Sequence, residues 1–202
     1  TLKGEDDLGA KLQLLGIECL AKGEIKGGAL LQLLSLGDDK VAIYEMEGMI
    51  ELANFGLDDK CIIDSSEFVK LVDGVMLMSV VNQIAEQKLL LYKAHYQHKL
   101  ERFDDAISTL TYSWEKDALN PIPLFLQIDW LIDNGDYKQA LDVFKKAEKI
   151  GLNSWYDYSE FIEAAKHKIV TNKQGEYVLP STSSLKAILL MPGHAIHSYP
   201  VR

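Results

Sequence analysis

Two pairs of histidines have a spacing that could hold a metal ion. His95 and His98 lie three residues apart in a helical pattern, and His194 and His197 repeat this spacing near the C-terminal end. Side chains at positions i and i+3 of a helix share a face, so two imidazoles could bind one ion. Neither pair has the glutamate of an H-E-x-x-H helix. Ordinary surface or groove histidines are the stronger interpretation, and we predict no metal site.

A pair of carboxylates is the second candidate for chemistry. Asp129 and Asp133 lie one helical turn apart, as a general acid and its base could. No nucleophile or oxyanion donor accompanies them, and the sequence has neither a glycine-rich phosphate loop nor a G-x-S-x-G turn. The spacing is typical of a solvated helix face, so we expect no catalytic residue, no cofactor and no enzymatic activity in this chain.

The composition favours a folded, acidic chain. Hydrophobic residues make up 48% of the 202 residues, and the formal net charge of −9 argues against binding to a phosphate backbone. The two cysteines, Cys19 and Cys61, exclude a disulfide framework but allow either one disulfide or two buried thiols. The longest apolar runs, residues 75–81 and 185–191, fall far below the ~20 residues that span a bilayer. We therefore expect a soluble fragment with no nucleic-acid partner and no membrane span within it.

Thr1 begins the chain without an initiator methionine or a signal-peptide profile. We expect the chain to be part of a longer protein, which leaves its localisation open.

Helical periodicity runs through most of the chain, interrupted by turn signals. Apolar residues at helical spacing predict helices over residues 8–20, 29–36, 43–56, 89–100 and 106–119, with turns near residues 82–86 and 102–105. Gly56 is a candidate C-terminal cap, and Gly27 with Gly28 is interpreted as a close approach between helix backbones. Asp64 and Glu67 have the spacing of a capping box, which predicts a helix after Asp64.

The segment over residues 120–154 has the clearest internal organisation. An Asn-Pro start, a break at Gly135 and a second apolar face predict two helices joined by a turn. Residues 103–107 (FDDAI) and 137–141 (YKQAL) match in character, and Ala106 to Ala140 is a step of 34 residues. Steps of this length between helical hairpins are typical of repeat proteins.

These residues resemble the tetratricopeptide repeat family. When Ala140 is taken as the small residue of the second helix, five other residues are of the types expected at their positions in the repeat; they are Leu124, Ile128, Leu131, Phe144 and Ala147. Residues 12–16 also resemble the L-x-x-L-G pattern of the family's first helix. The resemblance implies an all-α, right-handed array of antiparallel hairpins, an α–α superhelix. The alternative is an unrelated helical bundle in which two hairpins share a period by chance.

The resemblance also implies a division of the chain. The repeat domain covers residues 1–170, with units at about 9–42, 43–86 (irregular), 87–120 and 121–154 and a terminal helix at 155–169. The change in composition after Val170 predicts that residues 171–202 are an irregular C-terminal tail that packs back on the repeats, in which only residues 185–191 could form a short helix.

In this family the first helix of each unit lines a concave groove, which implies a peptide or a partner helix as ligand. The predicted groove residues are Tyr92, His95, Phe125, Asp129, Tyr156 and Glu160. The family's clamp of Lys, Asn and Arg on a C-terminal carboxylate is not reproduced, because acidic residues occupy this part of the groove.

We therefore expect a non-catalytic scaffold or recognition module that binds a partner protein. The alternative is a soluble domain of a larger bacterial membrane protein or enzyme, since membrane glycan ligases and polymerases carry helical repeat domains that loosely resemble residues 121–147. The sequence leaves the identity of the ligand, the compartment and the oligomeric state open.

Overall fold

The chain is predominantly helical. The computed structural model describes residues 7–35, 40–80, 82–149 and 151. These residues form α1 (Leu8–Lys22), α2 (Ala29–Leu33), α3 (Ile43–Leu57), α4 (Ser65–Met76), α5 (Gln83–Lys99), α6 (Phe103–Lys116), α7 (Ile122–Asp133) and α8 (Tyr137–Lys149). The all-α class is confirmed, and the superhelical arrangement of the repeat family stays a prediction. None of the helices described is both long enough and apolar enough to cross a membrane.

Two strands of two residues each accompany the helices. Strand β1 (Lys40–Val41) precedes α3, and strand β2 (Ser79–Val80) follows α4. They pair in parallel, with Lys40 opposite Ser79 and Val41 opposite Val80. Since this pairing joins the start of α3 to the end of α4, it constrains both helices.

The chain divides into two compact units, Thr1–Asp117 and Ala118–Arg202. The first contains α1 to α6, and α7 and α8 lie in the second. The predicted helix at 155–169 and the predicted tail at 171–202 lie outside the described residues.

In the first unit the odd-numbered helices are successive neighbours. Helix α1 packs against α3 and α3 against α5, while α4 packs against α2 and α5. Gly9 lies beside Tyr44 and Gly48 beside Leu12, so α1 and α3 run in the same direction. The interior between the helices is filled by side chains with at most 1% exposure, among them Met46, Met49, Leu52, Phe68, Leu71 and Tyr96.

A disulfide joins Cys19 to Cys61, which resolves the alternative that the sequence left open. Cys19 lies in the last turns of α1, and Cys61 lies in the connector between α3 and α4. Both residues are buried, at 0% and 4% exposure. The Ile62 amide donates to the Gly23 carbonyl at 2.7 Å, so the backbone also joins these two segments. The C-terminal end of α1 is therefore held to the connector that follows α3.

Two glycine interpretations are corrected by the structure. Gly56 does not end α3, which continues to Leu57 with Asp58 as its cap. A Cβ atom at Gly56 would overlap the hydroxyl oxygen of Tyr96, so glycine is required there by packing. Gly28 does not mark a close approach between helices, because no atom of a more distant described residue lies within 4 Å of the position that a Cβ would take, and its φ is +84°. Its left-handed backbone starts α2.

Two predicted turns are shifted along the chain. Helix α5 already begins at Gln83, since Oδ1 of Asn82 accepts hydrogen bonds from the amides of Ile84 and Ala85. Helix α6 begins at Phe103, and the break before it falls at Glu101, whose φ is +59°. Asparagine side chains that cap a helix explain the first shift.

The first half of the predicted capping box is confirmed. Asp64 Oδ1 accepts a hydrogen bond from the Glu67 amide at 2.8 Å, and α4 begins at the next residue, Ser65. The second half differs, because Glu67 Oε1 accepts from the Gly28 amide at 2.5 Å and not from the backbone of Asp64. Glu67 thus joins α4 to the start of α2.

Asp64→Ala should lower the free energy of unfolding of the first unit by about 1 kcal/mol, because the Glu67 amide loses its acceptor at the helix start. Urea titration monitored by hydrogen exchange of α4 amides measures this change. The matched control is Ser65→Ala, which alters the adjacent residue but removes no cap. Equal losses in the two variants would contradict the assignment of the cap to Asp64.

In the second unit the predicted two-helix hairpin is confirmed. Gly135, with a φ of +81°, lies between α7 and α8, and Oδ1 of Asp136 accepts from the Gln139 amide at 3.2 Å. All the apolar positions assigned to the hairpin interior are buried, with at most 6% exposure; they are Leu124, Ile128, Leu131, Ala140, Phe144 and Ala147. The burial extends around the whole of α7, from Ile122 to Ile132.

Candidate functional site

The structure describes one of the two histidine pairs, His95 and His98. His95 is half-buried and His98 is exposed, with its ring 5.9 Å from the ring centroid of Phe103. Within the described part of the chain, no three side chains of His, Cys, Asp or Glu converge as ligands. His194 and His197 lie outside that part.

The two carboxylates considered for acid–base chemistry lie in different environments. Asp129 is buried, at 6% exposure, whereas Asp133 is exposed. They therefore do not share an open cleft of the kind that a general acid–base pair requires.

Three of the six predicted groove residues lie inside the packing. Tyr92 has 6% exposure, and its hydroxyl donates to Oδ1 of Asn54 at 2.5 Å. Burial raises the pKa of Tyr92 to about 12, so the phenol stays neutral. Phe125 is fully buried and Asp129 nearly so, while His95 is partly exposed. Tyr156 and Glu160 lie outside the described residues, and the six-residue assignment stays a prediction.

An open groove lies elsewhere, between α1 and α3 of the first unit. Its volume is about 280 Å³, and we call it the α1–α3 groove. The residues that line it are Leu12, Gln13, Gly16, Ile17 and Leu20 on α1, and Gly48, Glu51, Leu52 and Phe55 on α3. The lining of α1 covers about 12 Å of helix axis at ~1.5 Å per residue, or roughly two turns. The groove predicted from the repeat resemblance used residues of α5 and α7, so the α1–α3 groove is a different surface.

Glycines keep this groove open. A Cβ atom at Gly16 would meet no other described residue within 4 Å, so the described part of the chain leaves the space above this residue open. A Cβ atom at Gly48 would lie 3.4 Å from the side chain of Leu12, so the two helices approach closely beneath the groove. The buried side chains of Leu12 and Leu52 form its floor. The groove is therefore open above Gly16, and Gly48 lies where α1 and α3 approach each other beneath it.

Tyr44 lies outside the groove lining, nearer the start of α1. It lies one turn before Gly48, and its Cε2 atom is 2.6 Å from the Cβ position of Gly9. The ring therefore lies directly over the backbone of α1. The adjacent Glu45 carboxylate raises the pKa of Tyr44 above its ordinary value.

The face of α1 beside the groove is apolar and exposed. Leu14, Ile17 and Leu20 are 59%, 65% and 59% exposed and succeed one another at a spacing of three residues. Side chains at this spacing are neighbours on a helix surface. These three large aliphatic side chains form one contiguous patch exposed to water. Single exposed leucines are common on protein surfaces, whereas a contiguous patch indicates a contact surface.

The rims of the groove differ in charge. On α3, Glu47 and Glu51 are exposed, lie one turn apart, and make no ion pair with another described residue. On α1 the residues that line the groove are uncharged; Glu18 and Lys22, which are outside the lining, pair with each other, and Lys22 holds the pKa of Glu18 below its usual value. Among the described residues, the two negative charges of the α3 rim therefore have no cationic partner.

Comparison with protein-family models, with curated proteins and with solved structures finds no match to this chain. The resemblance to tetratricopeptide repeats therefore rests on the residues that carry it.

The number of apolar residues on α1 is a sequence signal for the groove, and helical periodicity alone does not reveal it. Helix α1 is apolar beyond its buried face, because Leu14, Ile17 and Leu20 add to the buried Leu12 and Leu15. A surplus of apolar residues on one helix indicates a second contact surface. That α3 would lie beside this surplus could not be predicted without the packing of the two helices.

Proposed function

We propose that this chain is a non-catalytic recognition module that binds a helical segment of a partner protein in the α1–α3 groove. The observation that carries the proposal is the exposed apolar row Leu14, Ile17 and Leu20 beside a groove kept open by Gly16. Contiguous apolar surface rimmed by polar residues is typical of protein-binding sites.

The shape of the groove favours a helix as the bound element. Two neighbouring helices that run in the same direction leave a depression between them, into which the side-chain ridge of a third helix can pack. Gly16 allows a side chain of the bound helix to approach the backbone of α1. A helical ligand would place residues i, i+3, i+4 and i+7 over the two lined turns.

Gly16→Leu should weaken binding of a helical peptide by about tenfold or more, since the new side chain occupies the space that the ligand needs. The probe is a fluorescein-labelled peptide of about 18 residues, with alanine and leucine along one face and glutamine elsewhere. Fluorescence anisotropy gives its dissociation constant. The same variant should stay folded, because its Cβ meets no atom of the other described residues within 4 Å and leucine favours a helix over glycine by roughly 1 kcal/mol.

The control is Leu77→Ala, which removes a side chain that is 90% exposed at the end of α4 and outside the groove lining. This variant should bind the peptide as the unsubstituted chain does. Unchanged affinity in a folded Gly16→Leu protein would overturn the proposal. Failure of the unsubstituted chain to bind the peptide would also overturn it.

A further inference from the structure

We infer that the helix bound in the α1–α3 groove carries lysine or arginine along the flank that faces α3. This inference rests on the proposed function and specifies the partner: an amphipathic helix with an apolar stripe and one basic edge.

The acidic rim of α3 carries the argument. Glu51 lines the groove, and Glu47 lies one turn before it on the same side of the helix. Both are exposed and neither is paired with a cation in the described part of the chain. A helix seated in the groove would lie beside both carboxylates, and cations on that edge would be attracted to them.

The α1 rim lacks such charges. Only the flank of the bound helix that faces α3 should therefore prefer basic residues. At 100° per residue, Lys11, Glu18 and Lys22 lie on the side of α1 turned away from Gln13 and Ile17. The α1 residues that border the groove or flank it outward are uncharged; they are Ala10, Gln13, Leu14, Ile17, Leu20 and Ala21. The bound helix therefore meets apolar surface on one flank and negative charge on the other.

Two peptides with the same apolar stripe test the inference. One carries lysine at the flanking positions, and the other carries glutamate at the same positions. The unsubstituted chain should bind the lysine peptide about three- to tenfold more tightly at low ionic strength, because exposed ion pairs contribute modestly. The difference should shrink as salt is added, since these charges are screened.

Reversing the rim should reverse the preference. The double variant Glu47→Lys with Glu51→Lys should favour the glutamate peptide. The control double variant, Asp104→Lys with Glu115→Lys, makes the same change in net charge at exposed positions on α6. It should keep the preference for the lysine peptide, because the effect depends on position next to the groove.

The outcomes separate the two proposals. If both peptides bind with equal affinity and Gly16→Leu abolishes the binding of both, the inferred basic edge of the ligand is wrong and the proposed recognition module stands. If neither peptide binds, the recognition module is wrong and the basic edge falls with it. A dimer of the unsubstituted chain that Gly16→Leu dissociates in sedimentation equilibrium would identify a second copy as the occupant and overturn the inference.

Discussion

Removal of the Cys19–Cys61 disulfide should lower the free energy of unfolding of the first unit by about 4 kcal/mol. The bond closes a loop across 42 residues, and the entropy that a crosslink of this span removes from the unfolded chain accounts for this magnitude. Both sulfur atoms are buried, so a reductant should act slowly on the folded chain. The double variant Cys19→Ala with Cys61→Ala avoids this obstacle.

Urea titration followed by hydrogen exchange of α1 and α3 amides measures the effect in the first unit. Unsubstituted chain that has been unfolded, reduced and refolded with a reductant present is the matched control, and its stability should approach that of the double variant. If the double variant remained within about 1 kcal/mol of the oxidised chain, the disulfide would not constrain the unfolded state as the loop length implies.

Gly56→Ala should have the second large effect, a loss of about 1–3 kcal/mol from overpacking. The added Cβ would overlap the Tyr96 hydroxyl oxygen and lie 3.0 Å from Cδ1 of Ile63. Tyr96 has little room to move, since it is 1% exposed and its hydroxyl donates to the Ala53 carbonyl at 3.1 Å. Gly16→Ala is the matched control and should stabilise the unit by up to roughly 1 kcal/mol, because its Cβ enters open space.

The variant Tyr96→Phe tests whether contact with the Tyr96 hydroxyl causes the loss of stability in Gly56→Ala. Removal of the hydroxyl should make Gly56→Ala less costly, so the double variant should be more stable than the sum of the single changes predicts. Urea titration of the four proteins gives this coupling. Strict additivity would show that the loss at Gly56 does not come from contact with Tyr96.

Features that depend on local chemistry could be predicted from the sequence. The hairpin around Gly135 and the cap at Asp64 follow from turn and cap residues acting on their near neighbours. The interior positions of α4, including Phe68 and Val72, follow from helical periodicity.

Features that depend on contacts between distant segments could not be predicted in this way. Gly56 looks like a helix end in sequence, and only the position of Tyr96, forty residues later, shows that it is a packing site. Tyr92 and Phe125 were assigned to a groove by repeat register, but neighbouring helices can bury either face of a helix. The α1–α3 groove likewise requires two glycines from different helices, Gly16 and Gly48, to lie near one another.

The Cys19–Cys61 disulfide also determines how the chain would respond to mechanical force. Tension applied at the chain ends would pass directly between the two sulfur atoms, so the 42-residue span that contains α2 and α3 would bear no load. At ~3.5 Å per residue, this closed loop contains about 150 Å of contour length, which would be released only after the disulfide is reduced. A stretched oxidised chain would therefore retain α3 within a closed covalent ring after α5 and α6 had extended.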